Sequence, residues 1–202
     1  VAFGPLRKGG GVAFGRAQRS AFRRRDRAER PAVRYGVCRR QSRDCRITFR
    51  MNYQSTLLAV KDIERSKKFY CDLFGQTVAE DYGLNVAFDS GIALQQEFGW
   101  LTGIAAERIV EGSHNMELYF EEERLDDFLL RLERYPGIEF LHRIKSHDWG
   151  QRVIRIYDPD RHLIEIGEPM ETVVRRMFCE GCSAEETARR TQQPLAFVRS
   201  LQ

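Results

Sequence analysis

The chain has 202 residues, 42% of them hydrophobic, and a net charge of +4. That length and composition suit one ordinary domain with extensions and a real core. No run approaches the roughly 20 apolar residues a membrane span needs, which excludes a helical membrane protein and makes a soluble one the expectation.

The charge is unevenly spread. Residues 1–50 hold 15 Lys and Arg against 3 Asp and Glu, a local +12, which leaves −8 for the rest. This stretch contains Gly9-Gly10-Gly11 and Arg23-Arg24-Arg25 and no sustained hydrophobic period. It is expected to be a disordered Arg-rich extension outside the domain. Such a segment could bind nucleic acid electrostatically or act as a transit peptide. Because Met51 opens the regular pattern at once, non-domain sequence is the simpler reading, and nucleic acid is not an expected partner. Removing residues 1–50 is expected to leave fold and activity intact.

From Met51 the elements follow in order. Thr56–Val60 is a short apolar run and reads as a strand. Asp62 is placed to cap a helix whose apolar face is Ile63, Ser66, Phe69, Tyr70 and Phe74, with Gly75 as its stop. Strands are expected at 76–80, 84–88 and 92–95, the last two joined by the turn Asp89-Ser90-Gly91. The segment 98–112 carries no motif. A strand at 116–120 follows, then a helix with Leu125, Phe128, Leu129 and Leu132 on one face, ended by Tyr135-Pro136-Gly137. Strands are expected at 138–141, 151–157 and 162–166. The last two flank Asp158-Pro159-Asp160, a turn in which Pro fixes φ and Asp bonds the local backbone.

The tail from Glu168 is helical. Val173, Val174, Met177 and Phe178 share one face, Ser183-Ala-Glu-Glu186 reads as a capping box, and Pro194 opens a third helix. Helix, turn and helix invite a DNA-binding reading, but five Arg are balanced by five Glu from residue 168 onward. Packing on the domain or on a dimer partner is therefore the expectation.

Five cysteines, Cys38, Cys45, Cys71, Cys179 and Cys182, make an odd count without a secretion signal, which favours the cytoplasm. Cys179-Glu-Gly-Cys182 has C-x-x-C spacing. It lacks the second pair that zinc requires and the βαβ context of a redox motif, so two incidental thiols are expected.

The order strand–helix–three strands occurs twice, with a repeat of about 60 residues. Val60-Lys-Asp-Ile-Glu-Arg-Ser66 answers Phe120-Glu-Glu-Glu-Arg-Leu-Asp126. Phe88-Asp-Ser-Gly-Ile-Ala-Leu-Gln95 answers Tyr157-Asp-Pro-Asp-Arg-His-Leu-Ile-Glu165. The fold class expected is α+β: two tandem βαβββ units, at about 52–97 and 113–168, forming a cupped mixed sheet. The domain is placed at 51–168 and the helical tail at 169–202. Each unit leaves one sheet face uncovered, and the other unit buries it.

The segments Leu58–Gly75 and Tyr157–Ile166 carry a resemblance. The chain resembles the vicinal oxygen chelate superfamily, which includes glyoxalase I, extradiol dioxygenases, fosfomycin-resistance transferases and bleomycin-resistance proteins. The resemblance implies ligand positions on the first and last strand of each unit, here Ser55, Gln95, Asn115 and Glu165. Metal-binding relatives typically carry His, Glu or Gln, His and Glu there. With Ser55 and Asn115 in place of both imidazoles the set chelates a first-row metal poorly. No catalytic residue, metal site or cofactor is therefore assigned. His114 lies one residue from Asn115, and strand parity sends it to the opposite face. His162 alternates away from Glu165.

The resemblance implies a small organic ligand and a homodimer. Gln95, Asn115 and Glu165 would orient polar groups. His147 and Trp149, in a polar loop near the mouth of the cup, would contact the ligand, with Trp100, Phe98 and Tyr119 as further flat surfaces. For Glu165 the competing reading is a buried acid paired with Arg152 or Arg155. Three functions follow: a small-molecule-binding protein without an intact metal site, a lyase or dioxygenase using a divalent metal ion on Glu165, Gln95 and a displaced His114, or a ligand-sensing regulatory module with a partner-binding tail. Arg161 stands where relatives usually have Gly. If φ is positive there, Arg161→Gly is expected to stabilise the fold slightly.

Overall fold

Asp62 decides where the first helix begins. Its carboxylate accepts the Arg65 N–H at 3.0 Å, and α1 runs Ile63–Phe74. Gly75 ends it at φ 63°, donating its N–H to the Cys71 carbonyl. Around α1 lie β1 (Thr56–Val60), β2 (Val78–Asp81), β3 (Asn85–Phe88) and β4 (Ile92–Gln96). β1 pairs parallel to β4, the other pairs are antiparallel, and the sheet order is β1-β4-β3-β2.

The second half repeats this. β5 (Leu118–Glu121), α3 (Leu125–Arg134), β6 (Glu139–Ser146), β7 (Arg152–Tyr157) and β8 (Leu163–Gly167) form a sheet of order β5-β8-β7-β6, with β5 parallel to β8. The α+β expectation of two tandem βαβββ units holds, each unit carrying its own four-stranded mixed sheet. These elements come from a computed structural model that describes residues 51–202. The Arg-rich extension, Cys38 and Cys45 lie outside the described residues. No helix among the described residues is long and apolar enough to cross a membrane.

Two elements differ from expectation. β6 has eight residues, about twice the span expected, and carries two register shifts, between Phe140 and His142 and between His142 and Lys145. The motif-free linker contains a short helix α2 (Phe98–Thr102) and a single 3-10 turn at Ala106–Arg108.

One core serves both halves. Leu58, Val86 and Leu94 of the first sheet join Ile154, Ile156 and Ile164 of the second in one cluster with Phe69 and Leu73 of α1 and Leu125, Phe128 and Leu132 of α3. Phe74 of α1 lies 4.5 Å, ring to ring, from Phe120 of β5, and Phe69 meets Tyr135 edge-on at 5.9 Å.

The Asp158-Pro159-Asp160 turn fastens the halves together. Asp158 Oδ1 accepts the N–H groups of Asp160 and His162, which is the local turn chemistry expected of it. Its Oδ2 accepts the Tyr70 hydroxyl at 2.9 Å and meets His162 Nδ1 at 2.8 Å. Asp160 reaches across to the start of α1. It accepts from the Lys61 N–H, from Arg65 Nη2 and from Ser66 Oγ. Both acids are buried. Burial, then Asp158, pushes the Tyr70 hydroxyl pKa well up. For His162 burial acts downward, but Asp158, Asp160 and Glu111 outweigh it and leave its pKa raised. Protonated His162 therefore supports the fold below about pH 6.5, and that support fades as pH rises through its higher folded value.

Arg161 follows at φ 66°, so the strain expected there is present. Its side chain offsets that strain: the guanidinium pairs with Glu139 at 2.9 Å and lies 4.8 Å over the Tyr157 ring. A half-exposed ion pair and a surface cation–π contact contribute about 1 kcal/mol together, close to the backbone cost. The expected outcome is revised accordingly. Arg161→Gly should change the urea-unfolding free energy by less than about 1 kcal/mol instead of stabilising.

The tail packs on this frame. α4 (Met170–Cys179) buries Val173, Val174 and Met177, and Gly150, at φ 86°, leaves no room for a Cβ against Met177 Cε. α5 (Ala184–Thr191) starts where Ser183 Oγ accepts the Glu186 N–H, and α6 (Leu195–Arg199) follows Pro194. Val174, Ala184 and Val198 close a small cluster of their own. Residues 51–202 form one compact unit.

Candidate functional site

Alternation along β7 and β8 sends Ile154, Ile156, Ile164 and Ile166 into the core, so Arg155 and Glu165 lie on the other face. Register then builds a row across all four strands of the second sheet. Tyr119 of β5 sits opposite Glu165 of β8, Glu165 opposite Arg155 of β7, and Arg155 opposite His142 of β6.

The row is charged and polar. Arg155 holds the buried Glu165 through Nη2, pairs with Glu117 at 3.0 Å through Nε, and faces His142 Nε2 at 3.2 Å through Nη1. One guanidinium thus occupies the fork between two carboxylates. Beside it, Gly167 would place a Cβ 3.1 Å from the Tyr119 ring and 3.0 Å from Gln151 Nε2, and its missing side chain lets both lie across the sheet. Gln151 donates to the Tyr119 hydroxyl at 3.0 Å and to the Glu168 carbonyl at 2.8 Å, and accepts from Trp149 Nε1 at 3.0 Å. Tyr119 is 49% exposed, so the row opens to solvent at that end. Partial burial raises the Tyr119 pKa, Glu121 adds to the rise, and Gln151 opposes it.

The expected site residues fall as follows. His147 and Trp149 stack at 4.1 Å in the β6–β7 hairpin, and Trp149 joins the row through Gln151 and Tyr119. Glu165 is buried in the row and ion-paired with Arg155, the expected alternative to a ligand-contacting role; Arg152 holds Glu168 and Asp126 instead. Gln95 is buried on β4 and accepts from Asn85 Nδ2 at 3.0 Å. Ser55 and Asn115 are exposed and precede β1 and β5; Asn115 accepts from Ser113 Oγ. The polar contacts of Ser55, Gln95, Asn115 and Glu165 are thus separate. His114 also precedes β5, so strand parity does not govern it: a left-handed backbone, φ 53°, sets its Nε2 2.6 Å from the Tyr157 hydroxyl.

Arg155 was expected only as a partner for a buried Glu165, which it is; His142, Gln151 and Glu117 were not singled out for a site from the sequence. The cross-strand register that sets Tyr119, Arg155 and His142 in one row with Glu165 has no local signal.

The donors do not suit a chelated first-row metal. Among the described residues no group of three or more His, Cys, Asp or Glu could hold one. Glu165, the one charged member of the four positions, is engaged by a guanidinium that a cation would have to displace.

The doubled βαβββ architecture places the chain in a fold class shared with known proteins. The chain belongs to the glyoxalase-like domain family, which it matches over residues 53–171. It is 35% identical to a protein of unknown function from Agrobacterium tumefaciens str. C58, over 61% of this chain and 98% of that one, with a TM-score of 0.52. A glyoxalase/bleomycin resistance protein/dioxygenase family enzyme from Burkholderia phytofirmans PsJN shares the fold at 18% identity, over 58% of this chain and 98% of that one, with a TM-score of 0.52. No curated protein matches the chain.

Proposed function

We propose that this protein binds a small organic molecule on the Tyr119–Glu165–Arg155–His142 row of the second sheet, without a chelated metal ion. The observation that carries this reading is the Arg155–Glu165 pair: the carboxylate a metal would need is already neutralised. Exposed Tyr119 and the stacked His147–Trp149 pair supply flat surface beside it, and Glu117 and Gln151 supply polar groups to orient a ligand. Ser55, Gln95 and Asn115 are further ligand contacts in this reading, brought in by a homodimer partner or by closure of the cup. Free Cys71, Cys179 and Cys182 fit a reducing, cytoplasmic setting.

Two measurements test it. Elemental analysis of the purified chain and of Glu165→Ala should find metal well below one ion per chain in both. Near-stoichiometric nickel, zinc, manganese or iron that disappears in Glu165→Ala would favour the metal-dependent lyase or dioxygenase. In Trp100→Phe, which leaves Trp149 as the one tryptophan, planar organic molecules including metal-free bleomycin should quench fluorescence saturably. That quenching should weaken when Tyr119→Ala is added.

A further inference from the structure

A hollow of about 400 Å³ lies where the two halves meet and shares no residue with the polar row. α1 supplies Arg65, Lys68 and Phe69, the turn after α3 supplies Tyr135 and Ile138, and the β7–β8 turn supplies Pro159. Its volume is within the range of small-molecule sites.

The chemistry of the lining is one-sided. It holds two cations and no carboxylate. Arg65 uses only Nη2, toward the Pro159 carbonyl and Asp160, and its side chain is 46% exposed. Nε and Nη1 have no partner among the described residues, so part of the guanidinium fork is available. Lys68 pairs with Asp72 on its own helix and retains further N–H donors. The Tyr135 hydroxyl has no hydrogen-bond partner among the described residues. It stands close enough to Lys68 to add, after Asp72, to the rise in the lysine pKa. Below these donors the floor is apolar: Phe69 is buried and meets the Tyr135 ring edge-on, with Ile138 and Pro159 beside it.

We propose that this hollow binds an aromatic ring bearing one anionic group, a carboxylate or a phosphate. The ring lies against Phe69, Ile138 and Pro159, and the anion is held by Arg65, Lys68 and Tyr135. Such a ligand touches α1 of the first half and two turns of the second, so its binding stabilises the paired halves.

The test is calorimetric titration of the full chain with naphthoate, naphthyl phosphate and uncharged naphthamide at millimolar concentration. At least one anion should bind saturably and roughly tenfold more tightly than the amide, because a charge-assisted contact is worth more than a neutral one. Tightest binding by naphthoate assigns a carboxylate, and by naphthyl phosphate a phosphate. Lys68→Gln and Tyr135→Phe, both at accessible groups, should each weaken the anion several-fold, and Ile138→Trp should fill the hollow. Glu165→Gln and Tyr119→Phe should leave the affinity unchanged, so the result is independent of the function proposed for the row. Equal affinity for amide and anions, no saturable binding, or anion binding that is unchanged in both Lys68→Gln and Tyr135→Phe would overturn the proposal.

Discussion

Asp160→Ala is expected to be among the most damaging single substitutions outside the apolar core. It removes one carboxylate that satisfies the Lys61 N–H, the Arg65 guanidinium and the buried Ser66 hydroxyl, all on the other half of the fold. Each donor left unmet in a buried place costs on the order of 1–3 kcal/mol. Arg65 is half exposed and finds water, so the total expected is about 3 kcal/mol. For a domain of this size that lowers the melting temperature by roughly 6–12 °C. Asp160→Asn, which can still accept from two of the three, should lose less. Equal, small losses in both variants would show that the turn does not fasten the halves.

Glu168→Ala carries the second large effect. Glu168 is fully buried and accepts from the Arg152 N–H, from Arg152 Nε and from Arg176 Nη2, so it ties β7 to α4. Burial alone would raise its pKa. The Arg152 side chain and N–H, with the charges of Arg176 and Arg152, outweigh burial and hold the carboxyl below its usual range. The sign follows. A depressed folded pKa gives stability that is present above the unfolded value of about 4.3 and is lost as pH falls through the lower folded value. Removing one partner of such a buried set costs about 3 kcal/mol at neutral pH. The difference between wild type and Glu168→Ala, measured by urea unfolding, should shrink steadily below about pH 4.3. Hydrogen exchange should also quicken across α4 and its neighbour Gly150, whose carbonyl Arg176 holds at 2.8 Å. A constant difference across the acid range would mean that Glu168 is not ionised in the folded chain.

Most of the fold was legible because its signals are local. Asp62 and Gly75 bracket α1 by capping chemistry, Ser183 opens α5 the same way, and the alternation around Asp158-Pro159-Asp160 marks a hairpin. The doubled pattern then gave the architecture, since two copies of one half need each other to bury their sheets. β6 was read short because His142–Ser146 holds one apolar residue, Ile144, and α2 was missed because five residues carry too little periodicity.

The candidate site was legible only in part. Glu165 was legible as a ligand position implied by the resemblance or as a buried, paired acid, and Trp149 as an aromatic in a polar loop. Tyr119 and Arg155 were named separately, as a flat surface and as a partner for Glu165, but their alignment with His142 was not legible, because these residues are scattered along the chain and meet Glu165 only through strand register.

By itself the sequence determined the elements, their duplication and the residue types available for chemistry, since helix caps, turns and side-chain alternation act over a few neighbouring residues. Only the tertiary structure decided that Glu165 answers to Arg155, that Asp160 fastens α1, and that Arg65, Lys68 and Tyr135 share a hollow. Those pairings join residues far apart in the chain, and such contacts are fixed by how the packed halves meet, which no local run of residues encodes.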